Sequence, residues 1–202
     1  DFVALKQKGD WYTQGELLAK EAARLEQAGA DFIIVATNTM HKLTEQIESA
    51  ITIPFLHIAD ATGHRILSNQ HKKVGLLGTC YTMEMDFYRG RLEDMGIDVV
   101  VPSKEERKLV NDIIYDELTK GTITDTAKQT YKTIISALKE QGAEGVILGC
   151  TEQTLLIEKA DSCLPIYDTT HIHVQAAMHM LLEGPKNASL TAWDDIIGSK
   201  QA

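Results

Sequence analysis

The sequence predicts an α/β fold in which parallel strands are covered by helices on both faces. Short apolar runs bounded by Gly or Pro alternate with longer segments in which apolar residues recur every three or four positions. Continuous apolar runs are typical of strands buried on both faces, and parallel strands need helical crossovers. An internal repeat between 28–39 and 141–152 further predicts two pseudo-symmetric, Rossmann-like halves with the active site in the cleft between them.

Each element is predicted from its own local pattern. Apolar runs predict strands at 31–36, 54–58, 74–78, 97–101, 145–149 and 164–167. Amphipathic spacing predicts helices at 14–28, 38–49, 60–69, 82–95, 104–120, 124–141, 151–158 and 169–183. Several helices end at a glycine, which favours the left-handed closing conformation: Gly29, Gly96, Gly121, Gly142 and Gly184.

The repeat sets the domain organisation. "AGADFIIVATNT" and "QGAEGVILGCTE" align without a gap, and this places Thr37 opposite Cys150. We predict an N-terminal half at 1–70, a C-terminal half at 71–183, and a loosely docked tail at 184–202. The first half is shorter by about a strand, a Gly-rich turn and a helix, and the chain starts at Asp rather than Met. An N-terminal segment is therefore expected to be missing.

The composition narrows the class of partner. A net charge of -9 over 202 residues argues against a nucleic-acid backbone or an anionic membrane as the main partner. No apolar run reaches the roughly 18 residues of a membrane span, so a soluble, cytoplasmic protein is expected. Three cysteines without a CxxC pair predict no disulfide framework. His171 and His173 alone are too weak a pattern to predict a metal site.

Cys150 and Thr37 are the candidate catalytic residues. Each follows a predicted strand at the edge where open α/β sheets bind ligands. Helix dipoles and backbone N–H donors at such an edge favour thiolate, so Cys150 is predicted to be a base or nucleophile near neutral pH. The alternative is a small buried residue that only packs. Thr37 cannot ionise as a thiol does, but its hydroxyl can donate or relay a proton.

Other polar residues at the same edge are candidate ligands for the substrate. Asn38, Thr39 and Thr151 offer amide and hydroxyl groups suited to an amino acid, although Asn38 and Thr39 could instead cap a helix. Glu152 either complements the helix dipole or binds a substrate ammonium group. Three further residues are weaker candidates for binding the substrate. Thr79 lies in the turn after a predicted strand, and His173 lies in the loop after Asp168. Lys120 could bind an acidic side chain of the substrate, or it could instead stabilise the negative end of its own helix dipole.

Five segments together resemble one family. "ATNTMHK", "FLHIADAT", "LLGTCYTMEMDFYRGRL", "GVILGCTE" and "YDTTHIH" look like the aspartate/glutamate racemases that need no pyridoxal phosphate. The resemblance implies an enzyme without a cofactor, commonly a homodimer, in which two cysteines exchange the α-proton on opposite faces of the substrate. Cys150 matches the second cysteine. Thr37 departs from the first and resembles the branch that handles L-aspartate and L-glutamate far better than the D-isomers.

The resemblance also assigns roles to the other candidates. It implies that Asn38, Thr39, Thr151, Glu152 and His173 fall on substrate-binding motif positions. Lys120 matches a lysine that some members use near the substrate. The leading hypothesis is a cofactor-independent racemase of acidic amino acids. Two alternatives stay open, namely a single-cysteine decarboxylase or isomerase of a small diacid, and a non-catalytic module that binds acidic amino acids.

Overall fold

The computed structural model describes residues 5, 6 and 8–184 and confirms the predicted α/β class. The predicted tail lies outside the described residues from 185 onward. The helices are α1 (Trp11–Gln27), α2 (Thr44–Ser49), α3 (Ile58–Ser68), α4 (Cys80–Glu84), α5 (Asp86–Asp94), α6 (Lys104–Asp112), α7 (Asp125–Glu140) and α8 (Thr169–Glu183). The strands are β1 (Lys73–Leu77), β2 (Asp98–Val100), β3 (Gly145–Leu148) and β4 (Ile166–Asp168).

The four strands form one parallel sheet in the order β2-β1-β3-β4. Val74 of β1 pairs with Val99 of β2 on one side and with Gly145 of β3 on the other. Val146 of β3 pairs with Ile166 of β4. Because all strands run the same way, the carboxyl ends of β1 and β3 lie side by side, and the residues that follow them meet at one edge.

Apolar side chains fill both faces of this sheet. One core cluster joins Leu76 and Ile147 with residues of α3, α5 and α8. The other joins Leu77, Val146 and Leu148 with residues of α6 and α7. Consecutive strand residues therefore point to opposite clusters, as expected for a strand buried on both sides. Since α3 and α8 pack against each other, the last helix returns to the N-terminal half.

The predicted strands at 31–36 and 54–58 are not regular strands. A single parallel bridge joins Ile33 to Phe55. Ile33 N–H donates to the Pro54 carbonyl at 2.8 Å, and Leu56 N–H donates to the Ile33 carbonyl at 2.9 Å. The proline has no N–H with which to lengthen the ladder. Within the described residues no further strand continues this pair, so the first half has a smaller core, built from Ala22, Ile33 and Ile47.

Four of the predicted helices are not continuous α-helices. The predicted helix at 82–95 is interrupted at Met85, which is extended with φ -89° and ψ 151°. The segment predicted as a helix at 104–120 is α-helical only to Asp112 and continues as a π-helix at Ile113–Glu117 and a 3-10 turn at Leu118–Lys120. The segment at 38–49 begins as the 3-10 turn Thr39–Leu43 before α2. The helix predicted at 151–158 is wrong, because only the 3-10 turn Thr151–Leu155 forms there. The predicted glycine caps are confirmed by positive φ angles at Gly29, Gly96, Gly121, Gly142 and Gly184.

Candidate active site

The turns after β1 and β3 touch each other. Gly149 N–H donates to the Leu77 carbonyl at 2.7 Å. A Cβ at Gly149 would lie 2.9 Å from that same oxygen and 3.1 Å from a methyl carbon of Thr82, so only glycine fits this approach without a shift. The contact brings Cys150 beside the Gly78–Thr79 turn, as the sequence predicted for the carboxyl edge of the sheet.

The backbone at Cys150 is fixed by a buried glutamine. The Gln153 side-chain oxygen accepts the Cys150 N–H at 3.0 Å, and its amide nitrogen donates to the Tyr131 hydroxyl at 3.1 Å. Gln153 is fully buried, and Tyr131 belongs to the core beneath β3. Since both ends of the amide are satisfied inside the protein, the turn that carries the thiol has little freedom to move.

The Cys150 thiol is held as a hydrogen-bond donor. Its Sγ donates to Oε2 of Glu152 at 3.0 Å, and the Thr151 hydroxyl donates to the same oxygen at 2.7 Å. Burial, first, and then the hydrogen bond to Glu152 and its negative charge together raise the pKa of Cys150 to about 12. Burial alone would raise the pKa of Glu152, but the hydrogen bonds from Cys150 and Thr151 outweigh it and lower that pKa.

The prediction that this position favours thiolate is therefore wrong. The segment after Cys150 is a short 3-10 turn rather than a long helix, so a strong helix dipole is missing. The carboxylate two residues away adds negative charge beside the sulfur. Both effects favour the protonated thiol.

The N-terminal half reaches this edge through Asn38. The Asn38 amide nitrogen donates to the Thr169 hydroxyl oxygen at 3.1 Å, and that hydroxyl donates to the Leu148 carbonyl at 2.9 Å. Because the hydroxyl proton is used on Leu148, the Asn38 group in this contact must be the NH₂, which leaves its oxygen facing elsewhere. Among the described residues this oxygen has no hydrogen-bond partner, although Asn38 is only 3% exposed. It is an acceptor available to a ligand.

Thr37 is positioned by a histidine one turn further along the chain. His41 Nδ1 lies 2.8 Å from the Thr37 carbonyl, which can only accept, so the proton is on Nδ1. His41 is buried against the rings of His57 and His173, with centroids 4.5 Å and 5.6 Å away. Its Nε2 has no hydrogen-bond partner in the described structure.

Burial keeps these three rings neutral. The pKa of His41 is lowered to about 3 and that of His57 to about 2, chiefly by burial and to a smaller extent by neighbouring positive charge, including that of Arg91. Burial also lowers the pKa of His173. The predicted substrate ligand His173 uses its Nε2 to donate to the Leu56 carbonyl at 2.9 Å. Its role in this structure is to join α8 to the N-terminal half.

The remaining predicted ligands are placed in different ways. Thr79 is buried beside the Cys150 turn, with its hydroxyl 3.4 Å from that of Thr82. Thr39 is buried at the start of the 3-10 turn after Asn38. The Lys120 side chain is 62% exposed and pairs with Asp116 at 3.3 Å, so the structure places it in a surface ion pair. Its segment nevertheless contacts Thr151–Leu155.

Three residues that shape the site were not predicted. Gln153 stands three positions after Cys150, a capping-box spacing that could have identified it. Thr169 and Lys6 carry no such local signal because their partners are distant in sequence. Lys6 donates to the Tyr115 hydroxyl at 3.0 Å, and its positive charge lowers the pKa of both Cys150 and Glu152.

A cavity of about 1050 Å³ lies elsewhere, beside the open edge of β4. Arg65, Asn69 and His171 line its polar part. Neither Cys150 nor Thr37 contributes to it, so its size alone does not make it the site of chemistry. Among the residues described, no group of three or more His, Cys, Asp or Glu side chains is arranged to hold a metal ion. No helix in that part of the chain has the length and apolar character needed to span a membrane.

The fold and site define an α/β protein in which the Cys150 thiol is hydrogen-bonded to the Glu152 carboxylate at the carboxyl edge of a parallel sheet. The chain belongs to the Asp/Glu/hydantoin racemase family, whose sequence model matches residues 1–177. The resemblance inferred from the motifs is thereby confirmed.

Individual relatives agree with this assignment. The chain is 29% identical over 149 residues to the broad specificity amino-acid racemase RacX of Bacillus subtilis, covering 74% of this chain and 64% of RacX. A crystal structure assigned as an Asp/Glu racemase from Yersinia pestis matches with a TM-score of 0.85 and 49% identity, covering 89% of this chain and 78% of that one. PH1733, an aspartate racemase homologue from Pyrococcus horikoshii OT3, matches with a TM-score of 0.79 and 37% identity over 86% and 76% of the two chains.

Proposed function

We propose that this protein racemises acidic amino acids, aspartate and glutamate, by moving the α-proton without a cofactor. The observation that carries the proposal is the Cys150 thiol hydrogen-bonded at 3.0 Å to the Glu152 carboxylate, at the sheet edge where family members carry their second cysteine. The buried Asn38 oxygen, which has no hydrogen-bond partner in the described structure, is the acceptor that we assign to the substrate ammonium group. Family membership supports the reaction class.

The chemistry begins with the proton on the thiol. Glu152 accepts the Cys150 proton, and the resulting thiolate removes the α-proton of the amino acid. The α-carbon then carries the electron pair of the broken C–H bond, stabilised by donors around the substrate carboxylate. A proton delivered to the opposite face by the Thr37 hydroxyl completes the inversion. Thr37 then regains a proton from water and Glu152 releases its proton to the resulting hydroxide, while Cys150 keeps the abstracted α-proton, so all three groups return to their starting state.

The protonated state of Cys150 sets a cost for the first step. Forming thiolate at pH 7 from a pKa of about 12 costs about 7 kcal/mol, at about 1.4 kcal/mol per pH unit. A substrate ammonium group beside Glu152 lowers this cost because it offsets the negative charge that holds the thiol protonated. Since Thr37 is a poor base, abstraction from its side is slower. We expect a modest enzyme that favours one enantiomer as substrate.

The test is α-proton exchange. We expect proton NMR in D₂O to show loss of the α-proton signal of L-glutamate or L-aspartate with the wild-type protein, and chiral chromatography to show the D-product. Cys150→Ala should abolish both. Cys163→Ala is the matched control, because Cys163 is an exposed free cysteine away from the site. Equal exchange by Cys150→Ala and wild type would refute the proposal.

A second function is favoured by the protonated state of Cys150, together with Thr37 in place of a second catalytic cysteine. A thiol with a pKa of about 12 is ready to protonate a carbanion from one face, which is what a decarboxylase or isomerase of a small diacid needs. The discriminating assay is release of CO₂ from a substituted malonate, or isomerisation of a maleate-like diacid. Turnover there, with no α-proton exchange on aspartate or glutamate, would select this alternative.

The family resemblance also implies a location, an oligomeric state and a class of partner. We propose that the protein acts in the cytoplasm as a homodimer on a small acidic amino acid. The net charge of -9 supports a partner other than nucleic acid or an anionic membrane. Light scattering coupled to size exclusion would test the dimer, and a monomeric mass at micromolar concentration would refute it.

A further inference from the structure

Lys6 presents an ammonium group in an aromatic corner. Its Nζ donates to the Tyr115 hydroxyl at 3.0 Å and lies 5.2 Å from the centroid of that ring. The Tyr81 ring is 5.6 Å away on another side, and Trp11 packs edge-on against Tyr81 at 5.5 Å. These distances are typical of cation–π contacts, which hold the lysine in place while leaving N–H donors unused.

This corner adjoins the Cys150 turn. Tyr81 lies in α4, directly after the Gly78–Thr79 turn that approaches Cys150. Tyr115 lies in the π-helix Ile113–Glu117, and the 3-10 turn that follows that helix contacts Thr151–Leu155. The lysine charge acts on Cys150 and on Glu152, so it is within electrostatic range of both. Single π-turns inside helices occur frequently at functional sites.

The ammonium group of Lys6 has no carboxylate partner in the described structure. The lysines that do form ion pairs with carboxylates in that part of the chain are Lys108, Lys120, Lys128 and Lys132. Lys6 is half-buried, so part of its hydration is lost without an ion pair to compensate. A purely structural tether to Tyr115 would not need a charge, whereas a carboxylate arriving from solution would use the free N–H donors.

The net charge of the chain also supports a binding role for the Lys6 ammonium group. Acidic amino acids carry two carboxylates and one ammonium group, and the chain itself has a net charge of -9. A site for such a substrate needs a local positive charge that exceeds this background. At the Cys150 edge, Lys6 supplies that charge, while the predicted anchor Lys120 is exposed and paired with Asp116.

We propose that Lys6 is a specificity-determining residue whose ammonium group binds the side-chain carboxylate of the amino acid while Cys150 faces its α-carbon. The inference rests on the proposed function and adds the residue that selects acidic over neutral substrates. Tyr81 and Tyr115 orient the lysine.

The test compares L-glutamate with L-glutamine, which differ only in the distal group. Lys6→Met keeps the apolar stem between the tyrosine rings and removes the charge, and Lys6→Arg keeps the charge. Affinities are measured by calorimetry on the whole chain. We expect Lys6→Met to weaken L-glutamate binding by about 10- to 100-fold, the range of a charge-assisted hydrogen bond, with L-glutamine changed less than about 3-fold.

Two controls complete the comparison. Lys20→Met, at an exposed position of α1, should leave both affinities as in the wild type. Lys6→Arg should retain the preference for L-glutamate within about 5-fold. Thermal melting of each variant shows whether it is folded, and a Lys6→Met protein that melts early is replaced by Lys6→Gln.

The outcomes separate the two proposals. Equal weakening of both ligands by Lys6→Met, or no weakening, overturns the role of Lys6. If Lys120→Met loses the preference for L-glutamate over L-glutamine while Lys6→Met keeps it, the role of Lys6 is also overturned. The side-chain carboxylate is then bound by Lys120. A third outcome is that the preference for L-glutamate depends on Lys6 but no α-proton exchange depends on Cys150. That outcome would support the role of Lys6 in binding and refute the proposed racemase activity. A wild-type protein that binds neither amino acid overturns both.

Discussion

The buried histidines predict a steep loss of stability in mild acid. The pKa of His41 is about 3 and that of His57 is about 2, both lowered chiefly by burial. Both values lie below the 6.5 of an unperturbed histidine, so the unfolded chain binds protons first as the pH falls. The stability that depends on keeping these rings neutral is complete above about pH 6.5 and is lost as the pH falls toward the folded values.

The size of this loss follows from linkage. Consider a histidine ring that stays neutral in the folded protein and has a pKa near 6.5 in the unfolded chain. When the pH falls from 7 to 5, such a ring lowers the free energy of unfolding by about 2 kcal/mol. Two such rings, His41 and His57, cost up to about 4 kcal/mol, which is a large share of the roughly 5–15 kcal/mol that stabilises a typical domain.

His57→Asn isolates one ring. His57 is the N-cap of α3, and its Nδ1 accepts the Ala59 N–H at 3.1 Å, a bond that an asparagine oxygen can also make. Urea unfolding followed by circular dichroism at pH 7 and pH 5 measures the free energy at each pH. We expect the drop between the two to be about 2 kcal/mol smaller in His57→Asn than in the wild type.

A control in the same helix removes buried contacts without removing a titrating group. Thr62 is fully buried in α3, where its hydroxyl donates to the Ile58 carbonyl at 2.8 Å. Thr62→Ala should therefore lower stability equally at both pH values. A His57→Asn protein whose drop matches that of the wild type within about 0.5 kcal/mol would refute the claim that the buried rings cause the acid sensitivity.

Three further predictions concern the candidate site. Glu152→Gln removes the charge beside the thiol, so the pKa of Cys150 should fall from about 12 yet stay above its ordinary value because burial is the larger cause; thiolate absorbance near 240 nm measures it. Gly149→Ala places a Cβ 2.9 Å from the Leu77 carbonyl, and urea unfolding should show a loss of about 1–3 kcal/mol; unchanged stability would contradict the close approach. Thr37→Cys supplies an ionisable group at the position that we propose faces the substrate from the side opposite Cys150, and turnover of D-glutamate should rise about 10-fold or more relative to L-glutamate, as followed by chiral chromatography.

Local sequence patterns identified most of the C-terminal half. The apolar runs of β1, β3 and β4 are short and continuous, and burial on both faces of a parallel sheet requires that pattern. Glycines such as Gly96 and Gly142 close helices because their backbone adopts positive φ without a Cβ clash. These features depend on neighbours along the chain, so the sequence alone was sufficient to predict them.

The N-terminal half shows where such patterns fail. "DFIIVA" has the composition of a strand, yet Ile33 makes only one bridge, to Phe55, and Ile34 is 41% exposed. A strand is regular only where neighbouring strands supply hydrogen-bond partners along its length. That condition depends on what lies beside the segment in space, which its own residues do not specify.

The sequence by itself determined the α/β class, the family and the position of Cys150 at the carboxyl edge of the sheet. The tertiary structure decided the protonation of that thiol, because burial and the approach of Glu152 set its pKa. It also decided that Asn38 meets Thr169 and that Lys6 meets Tyr115, across long stretches of chain. Electrostatic energies depend on distance and burial in three dimensions, whereas sequence patterns report only local geometry and residue type.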